Sequence, residues 1–517
     1  MNTQTNTQTH TLETSEIKQL CTTGLFWNGF MYSIEKIAYW IIQVILFTRL
    51  STVHFSLWAN LSAIIYLIVL WSDFGFRASI PRYAPHMIKH KQLFSSLISL
   101  IVSWYTISTL CIITILAICL SPILNFLSLS TDTHIISLAI FLFIAESLLS
   151  VTKTISHSFF KHRTFNLIHS LFTSIELGIN TFLIISSPPT LSLVKILLIS
   201  RITIASIISI LAFLFIGKRF HKNILTQTTI NPELSHKPLQ KEFIIHSAHM
   251  WGQMVIHSLS ERNVVFPLLT LFFGPALANI YKIINSSISL FQRAITKTIA
   301  TIDISFLTLS IFQTNFQTNN NKNSENIPNT EALKRIISMI KTYATFTLPI
   351  ASLASISFAY HSTSLTNMHP YAFLIFLTIA TSRFIEIILS PYKRYLEVSK
   401  KYKLLWISTF PHIGIYLLTI IFFSYNHHQN ASIYANNSVH LYFIFILAIH
   451  SAQTLTNIFG SILAHNSLTY KPTFKPTFLY TSTTILNTPP KLTTNSSTTN
   501  IYYDVINNEK HPTENIN

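Results

Sequence analysis

The chain has 517 residues, of which 49% are hydrophobic and only 10% are charged. Soluble globular proteins carry about a quarter of their residues as charged side chains, so this composition excludes a water-soluble multidomain enzyme and indicates a polytopic membrane protein. The net charge of +17 would suggest nucleic acid in a soluble protein, but in a membrane protein it is typical of Lys and Arg in cytoplasmic loops. Only nine glycines occur, and no glycine-rich phosphate-binding motif is present, so the sequence shows no sign of an ATP or dinucleotide site.

About twelve apolar runs are long enough to cross a membrane, because a spanning helix needs about 20 mainly apolar residues. They form two groups of six, which predicts an all-α polytopic membrane protein with two pseudo-symmetric six-helix lobes. The first group lies near 24–48, 55–72, 97–121, 135–155, 167–186 and 191–216, and the second near 244–273, 276–300, 336–360, 371–390, 404–424 and 439–464.

Polar segments divide the chain around these two groups. The lobes are predicted at 23–217 and 242–465, joined by a cytosolic linker at 218–241 that contains two prolines. The N-terminal segment 1–22 and the tail 466–517 are rich in Thr and Asn and lack an apolar period, so both are predicted to be disordered in the cytosol.

The distribution of Lys and Arg gives the expected orientation. The gap after the second span contains Arg77, Arg82, Lys89 and Lys91, whereas the gap 122–134 contains neither residue type, and this alternation recurs along the chain. Because cytoplasmic loops are enriched in Lys and Arg, the even-numbered gaps and both termini are predicted to be cytoplasmic.

Polar side chains recur at helical spacing within several predicted spans. Such residues usually face the bundle interior or a water-filled path, although they can also serve only to hold helices together. We expect continuous stripes to be functional and isolated residues such as Glu146 and Glu176 to be structural, while Arg383 with Glu386 fits an internal ion pair equally well. The stripes are Asn28, Tyr32, Glu35, Tyr39 and Gln43 beside Lys36; His246, His249, Gln253, His257 and Glu261 beside Arg262; and Lys282, Asn285, Ser289 and Arg293.

The two halves carry matching residues. Glu35-Lys36 in the first span corresponds to Glu261-Arg262 in the seventh, at an offset of 261 − 35 = 226 residues. Likewise, Asn60 in Trp-Ala-Asn opens the second span as Asn279 in Leu-Ala-Asn opens the eighth. These matches predict a duplicated six-helix unit with the substrate site between the lobes, where both charged pairs would line one central cavity.

The first ninety or so residues resemble the amino-terminal signature of polysaccharide and O-antigen flippases, within the multidrug/oligosaccharidyl-lipid/polysaccharide exporter superfamily. One departure is Ser56, where that family usually has Gly. The matching segments are Thr48-Arg49-Leu50, Phe55-Ser56-Leu57-Trp58-Ala59, Asp73-Phe74-Gly75-Phe76 and Ile80-Pro81-Arg82-Tyr83.

The resemblance implies a flippase that moves a lipid-linked oligosaccharide across the bacterial inner membrane by alternating access, driven by an ion gradient or the membrane potential. Such a protein is not an enzyme and needs no cofactor, catalytic residue or metal. Its partners would be a glycan lipid with an anionic pyrophosphate head, membrane lipids, and a glycan polymerase or glycosyltransferases, but no nucleic acid. The expected substrate-binding residues are Lys36, Arg262, Lys282, Arg293, Asn28, Tyr32, Tyr39 and Gln253, and the expected ion-coupling residues are Glu35, Glu261 and His257.

Three alternatives stay open at this point. A cation-coupled multidrug exporter of the same superfamily would favour carboxylates and aromatics, whereas the charged candidates above include four cations and two carboxylates. A major-facilitator transporter would carry a loop of the pattern G-x-x-x-D-R-x-G-R-R after span two. The segment from Asp73 to Arg77 does not have this spacing. A membrane scaffold without transport activity would not need polar stripes on the opening spans of both halves.

Overall fold

The computed structural model describes residues 33–34, 37–80, 91–127, 129, 132–158, 162–225, 237–289, 336–338, 340–341, 344–345, 371–399, 401–429 and 431–469. All regular secondary structure within these ranges is helical. The chain divides into one large compact unit, which comprises 1–230 and 239–471, and a small second unit of which only Lys237 and Pro238 are described.

In the first half, helix α1 spans Ile37–Arg49 and α2 spans Thr52–Trp71. The chain breaks between them at Ser51, whose extended backbone and side-chain oxygen cap α2 by accepting from the His54 backbone N–H at 3.3 Å. Four longer helices follow: α3 Lys91–Phe126, α4 Thr133–Ser158, α5 His162–Ser186 and α6 Leu191–Leu225.

In the second half, α7 spans Lys237–Ser258 and α8 spans 262–289, with an irregular turn at 259–261 between them. Three further helices complete the described part of this half: α9 Ala372–Val398, α10 Tyr402–Gln429 and α11 Ala431–Thr469. The predicted ninth span, 336–360, is described only at 336–338, 340–341 and 344–345.

The helical stretch α8 is not one straight helix. The chain turns back on itself at Gly274, which has a positive φ of 80°. Lys282 Nζ lies 5.0 Å from the ring centroid of Phe266, yet 282 − 266 = 16 residues of straight helix would separate their backbones by about 24 Å. The two residues can meet only if the chain folds back between them. The apolar stretch Gln240–Ser289 is therefore two spans joined at Gly274, as the sequence predicted.

Within the described ranges, nine helical stretches are long and apolar enough to cross a membrane, the hairpin just described being counted as one. Large apolar side chains cover their outer faces; for example, Leu110 is 61% exposed and Phe213 is 68% exposed. In water such surfaces would aggregate, whereas in a bilayer they face lipid tails. The prediction of a multi-pass all-α membrane protein is confirmed, and the domain limits given above stay predictions.

The two halves meet through equivalent asparagines. Asn60 of α2 donates to Thr270 Oγ1 at 3.1 Å, and Asn279 of α8 donates to the Thr52 backbone oxygen at 3.0 Å. Both residues are almost fully buried, so each hydrogen bond is made away from lipid and solvent. The two asparagines that match between the halves thus both form hydrogen bonds across the interface between α2 and α8, one from each half. We call this interface the seam.

The Asp73-Phe74-Gly75-Phe76 motif forms the turn that ends α2. Phe74 and Gly75 have positive φ values of 48° and 77°. The buried Asp73 carboxylate fixes this turn by accepting from the Arg77 backbone N–H at 2.9 Å and from the Tyr105 hydroxyl. The motif therefore has a structural explanation in the geometry of the turn.

The same turn packs closely on α7. A Cβ atom at Gly75 would fall on the Ser247 backbone oxygen, so both the space and the positive φ require glycine here. Beside it, Trp251 Nε1 donates to the Trp71 backbone oxygen at 2.7 Å, and the rings of Phe74 and Trp251 stack. The seam between the halves is thus closed at both ends of α2.

Candidate functional site

Three helices of the first half converge on one arginine. Arg201 of α6 contacts Glu146 of α4 through Nε at 2.5 Å and Glu176 of α5 through Nη1 at 2.9 Å. The Arg201 side chain is 18% exposed and each glutamate side chain is 7% exposed. We call these three residues the Arg201 cluster. With both carboxylates ionised it carries a net charge of −1 inside the helix bundle.

Two tyrosines from the neighbouring helices complete this region. Tyr66 of α2 donates its hydroxyl to Glu146 Oε1 at 3.1 Å. Tyr39 of α1 stacks on Trp58 and interacts electrostatically with Arg201. Five helices, α1, α2, α4, α5 and α6, therefore contribute side chains to one polar region at the centre of the first half.

Glu146 and Glu176 lie outside any polar stripe in the sequence, and both bind the same guanidinium, which fits the prediction that they hold helices together. Sequence reasoning missed Arg201, although a signal was present: it is an arginine within the apolar run 191–216. Charged residues at membrane depth usually require a partner, and the two glutamates in the preceding spans were the available candidates.

The second half contains a smaller arrangement, which we call the Arg383 pair. Arg383 Nη1 contacts Glu386 Oε2 at 3.0 Å, one turn apart on α9, and Gln453 of α11 donates to the same oxygen at 2.8 Å. Arg383 is 9% exposed at its side chain, whereas Glu386 is 36% exposed. The ion-pair interpretation is confirmed, and this arrangement is electrically neutral.

Among the predicted substrate-binding residues, Lys282 is 3% exposed and holds its Nζ over the Phe266 ring. The next polar groups on α8 are Tyr281, whose hydroxyl lies 3.5 Å from His450 Nε2, and Asn285, which donates to that hydroxyl at 3.2 Å. The first turns after Gly274 therefore present a buried cationic and polar face.

The predicted stripe on span seven is interrupted. Helix α7 ends at Ser258, and Glu261 lies in the turn 259–261, so it does not continue the face of His257. This outcome corrects the sequence prediction, whose spacing assumed one unbroken helix. Gln253 is 2% exposed within α7, and the His257 ring lies 6.1 Å from the ring of His412 on α10.

Arg262 begins α8 directly after this turn and interacts electrostatically with Tyr39 of α1 and Tyr281 of α8. Glu261 interacts in the same way with Arg383. The remaining predicted residues lie outside the described part of the chain, so pairing of Glu261-Arg262 with the first span stays a prediction. These residues are Asn28, Tyr32, Glu35, Lys36 and Arg293.

The chain matches no known protein-family model and no curated protein. Two solved structures of VcmN, a MATE transporter from Vibrio cholerae, are similar to it. The bent form superposes with a TM-score of 0.42 at 10% identity, and a single-residue mutant superposes with a TM-score of 0.43 at 11% identity; each match covers 87% of this chain and 97% of the other. Similarity this low carries no argument about activity, so the family expectation rests on the sequence motifs.

Proposed function

We propose that this protein is a membrane exporter that moves a lipid-linked oligosaccharide between the two leaflets by alternating access. The observation that carries the proposal is the seam between two similar hairpins, α1–α2 and the hairpin of α8. Beyond the paired asparagines, Trp40 Nε1 donates to Ser287 Oγ at 3.0 Å across this seam. Equivalent elements packed about a common seam are the arrangement that lets one lobe rock against the other.

The proposed binding region for the pyrophosphate head lies along α8. Lys282 is buried on this helix near the seam, and Arg262 lies at its start. Cationic side chains bind pyrophosphate oxygens through charge-assisted hydrogen bonds, and partial burial strengthens such contacts. Lys36 and Arg293 would add to this region, with Asn28, Tyr32, Tyr39 and Gln253 contacting uncharged parts of the substrate.

A second candidate function is a cation-coupled multidrug exporter. It is favoured by the Arg201 cluster, because two carboxylates and one arginine leave a negative charge in the first half. If the substrate-binding surface included this cluster, an organic cation would be the better electrostatic match. The two candidates therefore differ in which half of the molecule contacts the substrate head.

The test uses purified protein in liposomes that contain a fluorescent undecaprenyl-pyrophosphate oligosaccharide. We expect the protein to make the inner-leaflet pool accessible to a membrane-impermeant quencher, and Lys282→Gln to slow this transfer by about tenfold, the loss of one charge-assisted contact. The matched control is Lys195→Gln, because Lys195 pairs with Asp132 near the start of α6 and outside the proposed region on α8. Export of an organic cation without glycan-lipid transfer would overturn the proposal in favour of the second candidate.

A further inference from the structure

The turn that ends α2 projects from the first half onto α7 of the second half. We call residues 73–76 the motif turn. Its Gly75 lies so close to α7 that a Cβ atom there would come within 2.1 Å of the Ser247 backbone oxygen. Next to this contact, the Phe74 ring stacks on Trp251 with the ring centroids 5.6 Å apart. The two halves therefore approach each other here through backbone atoms as well as side chains.

The residues of α7 that contact the motif turn share one face of that helix. Phe243, Ser247 and Trp251 are spaced four residues apart, so they lie one above the other. The Phe76 ring stacks on the lowest of them, Phe243, with the ring centroids 5.5 Å apart. Successive turns of this face thus meet successive residues of the motif turn.

Trp71, at the end of α2, adds two hydrogen bonds to the same helix. Its backbone oxygen accepts from Trp251 Nε1 at 2.7 Å, and its own Nε1 donates to Ser258 Oγ at 2.8 Å. Both bonds join neutral groups, as the ring stacks do. Such interactions are individually weak, so this set of contacts can form and break reversibly.

Helix α7 is attached to the second half through its other face, which contacts α10. The His249 ring stacks on Tyr402 with the centroids 4.3 Å apart, and Trp406 Nε1 donates to His249 Nδ1 at 3.1 Å. A Cβ atom at Gly252 would lie 2.6 Å from the Trp406 ring, so the two helices pack closely. These contacts hold α7 to α10 independently of the motif turn.

The motif turn is in the same way attached to the first half. The Asp73 carboxylate accepts from the Arg77 backbone N–H at 2.9 Å and from the hydroxyl of Tyr105 on α3. The Arg77 guanidinium donates to Ser150 Oγ on α4. Each of the two contacting surfaces is therefore anchored in its own half, and they can separate without loss of either anchor.

We propose that the motif turn is a latch that holds the two halves together at this end of the bundle and releases α7 when this end opens. Opening breaks the two ring stacks and the two hydrogen bonds of Trp71, and it leaves the anchors in place. The charge pattern predicts that this end is cytoplasmic. The opening movement rests on the proposed exporter function.

Two glycines with nearly the same backbone conformation provide a matched test. Gly75 and Gly274 have φ values of 77° and 80°, so alanine introduces similar backbone strain at both positions. An added Cβ at Gly75 would meet the Ser247 backbone oxygen, whereas at Gly274 it would meet no described atom within 4 Å. Gly75→Ala should therefore prevent closure of the latch, and Gly274→Ala is the control for strain alone.

A cysteine at position 247 measures opening in the purified full-length protein in detergent, without substrate and with the three native cysteines replaced by serine. Ser247 is 3% exposed, and its hydroxyl makes no hydrogen bond within the described part of the chain, so Ser247→Cys is a conservative change. We expect a water-soluble maleimide to label this cysteine about tenfold faster when Gly75→Ala is added, as the open population rises by that factor. Gly274→Ala should leave the rate unchanged, and an unchanged rate in Gly75→Ala would overturn the latch.

A second cysteine distinguishes opening of the latch from general loosening of the protein. Ser147 lies on α4 inside the first half, is 6% exposed and likewise has a hydroxyl without a hydrogen bond among the described residues. In Gly75→Ala, labelling of Ser147→Cys should stay as slow as in the unaltered chain. Equal acceleration at both cysteines would overturn the proposal.

Trp251→Phe decides the question if Gly75→Ala does not fold. This change keeps an aromatic ring against Phe74 and removes the hydrogen bond to the Trp71 backbone oxygen. We expect about fivefold faster labelling of Ser247→Cys, the factor that corresponds to one neutral hydrogen bond. An unchanged rate would overturn the latch.

Transport in liposomes separates this proposal from the proposed function. We expect Gly75→Ala to slow glycan-lipid transfer by about tenfold, because a transporter that cannot close one end cannot complete its cycle. Faster labelling in Gly75→Ala without glycan-lipid transfer by the unaltered chain would overturn the substrate and keep the latch. Transfer at the unaltered rate by a Gly75→Ala protein that labels faster would overturn the role of the latch in transport.

Discussion

Each half of the molecule contains an ion pair built on a buried arginine, but the two arginines are held differently. Arg201 joins three helices, because its carboxylate partners come from α4 and α5 while it lies on α6. Arg383 pairs with Glu386 one turn away on the same helix, and Gln453 extends the contact to α11. The first arrangement is buried and charged, whereas the second is neutral with a partly exposed carboxylate.

This difference shows that a charged residue inside a membrane bundle can either join several helices or pair with a neighbour on its own helix. Removing a partner from a buried multi-helix cluster leaves charges that no other described group neutralises. Removing the arginine from the local pair leaves a carboxylate that is partly exposed and keeps one amide donor. The comparison predicts unequal responses to the same substitution in the two halves.

The largest expected effect follows Arg201→Met, which leaves Glu146 and Glu176 buried without their cation. Loss of one partner from a buried ion pair costs about 3–5 kcal/mol in the free energy of unfolding, and two like charges lie here side by side. Thermal unfolding in detergent measures the loss. Adding Glu146→Gln and Glu176→Gln to the same chain should restore most of it, because the repelling charges are then gone.

The matched substitution Arg383→Met should cost less, about 1–2 kcal/mol, a value between those of exposed and buried pairs. The Glu386 side chain is 36% exposed and retains the hydrogen bond from Gln453 Nε2. Unfolding measured under the same conditions as for Arg201→Met gives the comparison directly. Equal losses in both variants would contradict the difference between the two halves.

Much of the fold could be predicted from the sequence because a bilayer restricts the choices so strongly. Apolar length alone located the described spans, including the predicted spans 244–273 and 276–300, which meet at Gly274. The match between Asn60 and Asn279 indicated a duplicated unit, and both residues cross the seam. These features depend on local sequence, which periodicity can detect.

The charge clusters could be predicted only in part, because pairing between helices depends on rotation and depth. Arg383 with Glu386 was found from its i, i+3 spacing on one helix. Arg201 binds residues 55 and 25 positions away on separate helices, so no spacing rule identifies it. Similarly, the turn at 259–261 displaced Glu261 from its stripe, since periodicity assumes a continuous helix.

The departure from the family pattern at Ser56 has a structural explanation. Ser56 stands where the resembling family usually has Gly, and its Oγ accepts a hydrogen bond from Asn60 Nδ2 at 3.1 Å. The same amide nitrogen lies within hydrogen-bonding distance of Thr270 Oγ1 across the seam. The serine therefore orients an asparagine that joins the two halves, a role that the sequence comparison alone could not reveal.

The smallest expected effect concerns an ion pair of the first half that lies at the end of the bundle. Asp132, just before α4, contacts Lys195 of α6 at 2.5 Å, and the two side chains are 35% and 28% exposed. Hydrogen bonds from Lys195 and from the His134 backbone N–H hold the pKa of Asp132 below its ordinary value of 3.8. Such a pair contributes little, because water screens both charges.

The contribution of the Asp132–Lys195 pair to stability also depends on pH, in a direction that can be tested. Because the folded-state pKa of Asp132 is lowered, its contribution to stability is present above the unfolded-state pKa and is lost as the pH falls through the folded-state pKa. Asp132→Asn should therefore lower the unfolding midpoint slightly at neutral pH, by a small fraction of the Arg201→Met effect, and the difference should vanish in acid. The measurement is thermal unfolding of both proteins across that range. A loss as large as that of Arg201→Met, or one that persists in acid, would show that exposure does not set the difference between the clusters.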